Sequence, residues 1–270
     1  MKCKICEHNS NIIFKKIVLL KYNVNYYKCD NCSFVQTDEP FWFEEAYNTA
    51  ITSLDIGILI RNNYLTTEIS KIIDCCFGEA KRMLDFAGGY GIFVRLMRDK
   101  GFDFFRQDIY CENLFAKHFD ISDINDTHFD LVTGFEILEH LQNPLKEIEE
   151  IFKYSENAIF STELIPESND EIENWWYISQ ETGQHIAFYS PKAMQLIAEK
   201  FGKNYYCKNK HIHIFTTKNL DTDQIDYALN DISIKRHFFG LIKKRVKKYR
   251  KFRESYQYND YLFLKKILNS

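Results

Sequence analysis

Proline and glycine are both scarce in this sequence, at 4 and 10 of 270 residues. That scarcity excludes Pro/Gly-rich linkers and collagen-like or other low-complexity stretches, and no internal repeat is visible. No apolar run approaches the ~20 residues of a membrane-spanning helix. The opening Met1-Lys2-Cys3 shows no basic-then-apolar secretory pattern, so the expectation is a cytoplasmic globular protein. Nowhere do glycines fall as Gly-x-Gly-x-x-Gly, the spacing that seats a pyrophosphate on a helix N-terminus. This argues against an NAD-dependent oxidoreductase. What is present is a core rich in aromatics, 23 Phe and 17 Tyr, in a chain long enough for one α/β domain and one small module.

The most informative stretch is Met83-Leu84-Asp85-Phe86-Ala87-Gly88-Gly89-Tyr90-Gly91. An apolar strand stub ends in a carboxylate, and a glycine-rich turn feeds an amphipathic helix from Ile92 to Lys100. Glycines let backbone approach a ligand closely, because no Cβ intervenes. At the C-terminal end of a parallel strand, such a turn is where open α/β sheets bind nucleotide-like molecules. The next strand, Phe102 to Asp108, also ends in an acid, about 20 residues on, the distance at which a carboxylate meets a ribose diol. An acid ahead of the glycines disfavours a diphosphate and suits a ligand carrying positive charge. Taken alone, the turn also fits an ordinary strand-to-helix connection.

Asp-x-Ala-Gly-Gly-x-Gly resembles the first motif of the Rossmann-like S-adenosylmethionine (SAM) methyltransferases, which usually read Asp-x-Gly-x-Gly-x-Gly. Ala87 departs from that pattern, and as the smallest replacement it implies a slightly altered turn. Asp108, followed by Ile109, matches the ribose-binding acid. Phe129 to Leu141 looks like the family's fourth strand, ending in Phe135-Glu136-Ile137-Leu138-Glu139-His140 at the methionine end of the cofactor. Asn143-Pro144 opens the next helix. The resemblance covers residues 80 to 165 and implies a seven-stranded α/β sheet. It also implies a SAM site drawn from Asp85, Ala87, Gly88, Gly89, Gly91, Asp108, Ile109, Phe135, Glu136 and His140. Upstream, Tyr47 and Arg61 are candidates to close over the methionine carboxylate, Arg being its natural bidentate partner. For Arg61 a helix-surface ion pair is equally open.

Cys3-x-x-Cys6 and Cys29-x-x-Cys32, 22 residues apart, read as a four-cysteine structural zinc site. Two disulfides are the weaker alternative in a chain without a secretory pattern. Ile12 to Leu20 and Val24 to Lys28 are expected strands of this zinc ribbon. Cys75, Cys76, Cys111 and Cys207 have no ligand spacing and read as packed small side chains. A ribbon joined to such a core is similar to a bacterial group that methylates sugars and other precursors of surface polysaccharides and antibiotics.

The net charge of -3 hides an asymmetry. Residues 235 to 253 hold ten Lys/Arg and no acid, leaving 25 basic against 38 acidic residues elsewhere. Phe238, Ile242, Val246 and Tyr249 fall at helical spacing, so a basic amphipathic helix is expected. It either contacts a membrane or anionic carrier, or docks on the core with a solvated face. The acidic remainder opposes a nucleic-acid footprint. The expected layout is a ribbon over 1–38, a helical lead-in and methyltransferase domain over 39–218, and a helical extension over 219–270.

Acceptor chemistry is expected after the fifth strand, Ala158 to Glu163. Asn174-Trp175-Trp176-Tyr177 offers a wall for a sugar ring. His185 resembles the histidine of sugar methyltransferases and is the candidate base, its alternative being a brace for the loop. Glu163, Tyr177 and Tyr189 are weaker candidates. The function expected is O-methylation of a saccharide or related small polar group, a phosphoramidate included, in capsule or surface-polysaccharide biosynthesis. The alternatives are N- or C-methylation of a nucleotide sugar, or an inactive methyltransferase-like binding module.

Overall fold

A computed structural model describes residues 1–47, 51–125, 127–229 and 251–269. The chain divides into two compact units. The first combines Met1–Ser53, Gly134–Lys153 and Asn157–Lys218; the second combines Leu54–Thr133, Tyr154–Glu156 and Asn219–Ser270.

In the first unit, β1 (Ser10–Val18) and β2 (Tyr22–Cys29) pair antiparallel. Phe14, Val18, Val24 and Tyr26 are buried, and Phe14 stacks on Tyr26 at 4.7 Å. The first strand ends two residues before its expected limit. Leu19 and Leu20 take φ of 52° and 60°, and the Lys21 amide donates to Val18 O, closing the turn. β3 (Val35–Thr37) joins the other edge of β2. The sheet does not stop within the cysteine-bearing segment, because β8 (Ala187–Phe188) adds a fourth strand, Val35 pairing with Phe188 and Gln36 with Ala187. α1 (Phe43–Ala46), α4 (Pro144–Phe152), α5 (Asn169–Glu173) and α6 (Pro191–Lys200) complete the unit's helices. Proline starts α4 and α6, where its missing N–H costs nothing.

The larger sheet holds β4 (Arg82–Phe86), β5 (Asp103–Gln107), β6 (Leu131–Phe135), β7 (Ala158–Ser161), β9 (Asn204–Lys208) and β10 (Ile212–Thr216). Their order is β5-β4-β6-β7-β10-β9. β4 runs parallel to β5 and β6, and β10 antiparallel to β7 and β9, the edge pairing expected of the last two strands. The seven-stranded sheet is corrected to six among the described residues. Beside β5, where an outer strand would lie, a single parallel bridge joins Arg106 to Asp120. Asp120 then caps a 3-10 turn over Ile121–Asp123, which bends the chain away from the ladder.

Among the described residues, the second unit's helices are α2 (Ile58–Cys76), α3 (Ile92–Asp99), α7 (Thr222–Ala228) and α8 (Gln257–Leu268). α8 is fixed by charge. The buried Asp260 takes both oxygens to Arg98, each at 2.8 Å, and its Oδ2 also accepts from Arg95 at 2.8 Å. The Arg98 guanidinium lies 3.8 Å from the Phe119 ring centroid. Most of the expected basic helix lies outside the described residues. Of its final residues, Arg253 pairs with Asp74 at 3.0 Å and Lys251 donates to Gly78 O at 2.6 Å. Among the described residues, no helix is long and apolar enough to cross a membrane.

Candidate active site

In the second unit, the glycine-rich turn leaves the end of β4 and enters α3. Gly91 caps α3 at φ 83°, and a Cβ there would stand 2.6 Å from Asn113 Oδ1, so glycine is required twice over. Ala87 adopts φ 54°, a left-handed conformation that costs an L-residue about 1–2 kcal/mol. The turn therefore keeps a glycine-like path through an alanine. Asp108 grips it from the end of β5. Its Oδ2 accepts from the Gly89 amide at 2.9 Å, and its Oδ1 from the Tyr110 and Cys111 amides at 2.8 and 2.7 Å. Ile109 beside it stands 77% exposed. The two expected acids and the glycines are thus brought together.

Asp85 lies beneath this turn. It is buried, and Thr133 Oγ1 donates to its Oδ1 at 2.7 Å. Burial pushes its carboxyl up to about 7, against the pull of the Thr133 hydrogen bond, with the Asp108 charge adding to the rise. Arg106 went unremarked in the sequence, where a charged residue inside a strand carries no motif. It is buried, donates to Asp120 at 2.6 Å and to Cys111 O at 3.0 Å, and also reaches Gly89 O, tying the turn to the segment after β5. Arg61 forms the ion-pair alternative: its guanidinium meets both Asp55 oxygens, at 2.9 and 2.6 Å.

In the first unit, the end of β6 carries Phe135 and Glu136 into a 3-10 turn, Leu138–His140. Glu136 takes φ 51°, and its amide donates to Ser161 O at 3.1 Å. Ser161 Oγ donates to Glu136 Oε1 at 2.5 Å. The Tyr177 hydroxyl stands 2.5 Å from Glu139 Oε1 and 3.1 Å from Glu136 Oε2, so two carboxyl groups compete for one phenolic proton. Burial, and then the Glu136 charge, push the Glu139 carboxyl well above the usual carboxylate range. Its Oε2 is enclosed and makes no hydrogen bond. In the sequence Glu139 is only one letter of a motif, because nothing there shows which of two nearby acids is enclosed.

Both candidate histidines face carbonyl oxygens through Nδ1: His140 that of Gln184 at 3.0 Å, His185 that of Tyr177 at 2.6 Å. A carbonyl only accepts, so each Nδ1 carries a proton. Burial lowers His140 to about 4, which keeps it neutral. The two rings meet edge to face at 4.9 Å, Tyr47 stands edge-on to His140 at 6.0 Å, and Tyr177 packs on His185 at 4.7 Å. Trp175 packs against Tyr177 while Trp176 remains 75% exposed. Of the weaker candidates, Tyr189 donates to Leu138 O inside the core, and Glu163 meets His211 at 3.0 Å.

The segment carrying His185 is held by the N-terminal residues. Trp42 Nε1 donates to Gly183 O at 2.9 Å, Gln184 Nε2 to Ala46 O at 2.8 Å, and the Thr37 amide to Ile186 O at 3.2 Å. Ser190 donates to Cys32 O. Cys3, Cys6, Cys29 and Cys32 converge in the same unit. Their sulfurs lie 3.4 to 3.6 Å apart in the pairs 3–32, 6–29 and 6–32, well beyond a disulfide bond of about 2.05 Å. Four thiolates at about 2.3 Å from a tetrahedral zinc ion stand roughly 3.8 Å apart, so these sulfurs could hold that ion after a small expansion.

The family profile described as "Methyltransferase domain" matches residues 61–208. The chain belongs to this methyltransferase family. The matched span takes in the glycine-rich turn from Asp85 to Gly91 and Asp108. No curated protein matches the sequence. Among solved structures, the chain is similar to the mitomycin 7-O-methyltransferase MmcR at 13% identity, over 64% of this chain and 59% of that one, with a TM-score of 0.41. It is similar to an O-methyltransferase family protein from Burkholderia thailandensis at 10% identity, over 59% of each chain, TM-score 0.41. A third is magnesium protoporphyrin IX methyltransferase from Synechocystis PCC 6803 with bound SAH, at 9% identity, over 64% and 90%, TM-score 0.45. This chain thus spans about three fifths of the first two structures.

Proposed function

We propose that this methyltransferase moves the methyl group of SAM to an oxygen of a saccharide or related small polar group, a phosphoramidate included. The setting we propose is cytoplasmic assembly of a bacterial surface polysaccharide. The observation carrying this reading is His185, whose Nδ1 is pinned on the Tyr177 carbonyl, with the Tyr177 ring packed on it and Trp175 and Trp176 against Tyr177. An imidazole oriented by its Nδ1–H on a carbonyl suits proton removal from a hydroxyl through Nε2, and flat aromatic faces suit a sugar ring. In the same proposal, Asp108 holds the cofactor ribose, the turn from Ala87 to Gly91 lies against its body, and Glu136, His140, Tyr47, Phe135 and Ile109 complete the cofactor contacts. Zinc on the four cysteines is structural, since four protein ligands leave no open coordination position.

Two measurements test this. Asp108→Ala is expected to weaken SAM binding by at least tenfold in calorimetry, the loss of a charged pair of hydrogen bonds. Labelled SAM offered with a panel of nucleotide sugars is expected to label one of them on oxygen, read by mass spectrometry. Undiminished SAM affinity in the variant would remove the ribose assignment.

A further inference from the structure

Within the first unit, one ligand-type atom from each of Glu139, His140 and His185 lies within 4.8 Å of the others. We propose that these three side chains form a second metal site, distinct from the four cysteines, that binds a divalent first-row cation through two imidazole nitrogens and one carboxylate oxygen.

Three observations carry it. The first is the orphan: Glu139 is fully buried, and its Oε2 is enclosed without a hydrogen-bond partner. Native proteins rarely leave such an oxygen unpaired, and a cation supplies the missing partner. The second is the orientation of the rings. With Nδ1 of His140 and His185 fixed on backbone carbonyls, Nε2 at the far side of each ring is the nitrogen a cation would take. Metal-bound histidines commonly have their other nitrogen fixed by such a carbonyl. The third is support behind the carboxylate, where Tyr177 holds Oε1 at 2.5 Å and leaves Oε2 for the ion.

The donor set also selects the ion. Two imidazoles and a carboxylate, without sulfur, suit Mn, Fe, Co or Zn and leave coordination positions open, unlike a closed four-thiolate shell. An open position takes an oxygen ligand. This last step rests on the acceptor being a hydroxyl or similar oxygen group, as proposed above. In the loaded protein His185 would act through the ion and not as the base: the cation would hold and acidify the acceptor oxygen, its proton would pass to solvent, and the methyl would move from the sulfonium to that oxygen as S-adenosylhomocysteine leaves.

The test counts metal. Resident metals are measured by elemental analysis of the purified full-length chain, and further uptake by Mn2+ titration followed through the free-ion electron paramagnetic resonance signal. Manganese avoids thiolate sites, so the cysteines stay silent in the titration. The sum is expected to be one ion per chain higher in the wild type than in Glu139→Gln or His185→Ala, or the variants bind that ion at least tenfold more weakly. Equal sums at equal affinity overturn the site. Circular dichroism and SAM binding report whether each variant folds. Should neither fold, spin-echo spectra of the Mn2+-treated wild type decide: nitrogen couplings from imidazole support the site, and their absence removes it. Glu139→Gln and His185→Ala, neither of them a proposed SAM contact, are expected to leave SAM binding intact, whereas failure of the methyltransferase reading shows as no SAM binding, so the two are told apart.

Discussion

Asp85 illustrates how a motif letter acquires a different role once folded. The sequence places a negative charge ahead of the glycines; the structure buries that carboxyl under them, with Thr133 as its donor. Its proton is held to about 7 in the folded chain and leaves near 3.8 in the unfolded one. Below about pH 4 both states are protonated and the folded state carries no penalty from this group. Between 4 and 7 only the unfolded chain ionises, so stability falls as pH rises, by about 4 kcal/mol over the full span. Asp85→Asn keeps an acceptor for Thr133 and cannot ionise. The wild type is therefore expected to lose stability relative to this variant across that window, read by urea unfolding at successive pH values. A constant difference would mean that the buried carboxyl does not carry this shift. At this scale the glycines and Asp108 were legible, since both needs are local: backbone freedom at the turn and an acid about 20 residues on. Arg106 and the enclosed Glu139 were not, because burial arises from contacts far apart in sequence.

At the scale of elements, the parallel strands and the helix after the glycines declared themselves through apolar runs and hydrophobic period. The limits of the expected strands moved by only a residue or two, as in the antiparallel β1, where the turn begins at Leu19. The strand count was less legible: whether the chain near Asp120 extends or coils depends on the Arg106–Asp120 pair and a capping turn, and sequence period carries neither. The same holds for α8, whose sequence says helix but not where it docks. Asp260 supplies that, facing the buried Arg98 and the half-buried Arg95. Asp260→Ala removes two charged hydrogen bonds from a buried guanidinium, which keeps Asp103 and Phe104 O as hydrogen-bond partners. The expected loss is about 3 kcal/mol, read from denaturant midpoints, while Arg98→Met combined with Asp260→Leu recovers most of it. A loss within 0.5 kcal/mol, the ordinary range for surface changes, would show that the pair does not anchor the helix.

For the whole molecule, the cysteine-bearing segment and the His185 segment share one four-stranded sheet. No sequence pattern signals this pairing, because β8 is two residues long and lies about 150 residues away from β3, with the register Val35–Phe188 and Gln36–Ala187. Metal on the cysteines is therefore expected to matter for chemistry as well as stability. Chelation, or Cys32→Ser, should cut methyl transfer by about a hundredfold, the effect of displacing a positioned group by roughly 1 Å. SAM affinity should change by less than about threefold in the same samples. Equal losses in both would indicate general unfolding.

The β3–β8 ladder also limits how this enzyme can be re-engineered. Exchanging the N-terminal fingers for those of a relative would transplant one half of a zipper while its other half stays in the host. A working chimera must carry residues 179 to 190 along with the fingers, so acceptor preference and finger identity are expected to be inherited together.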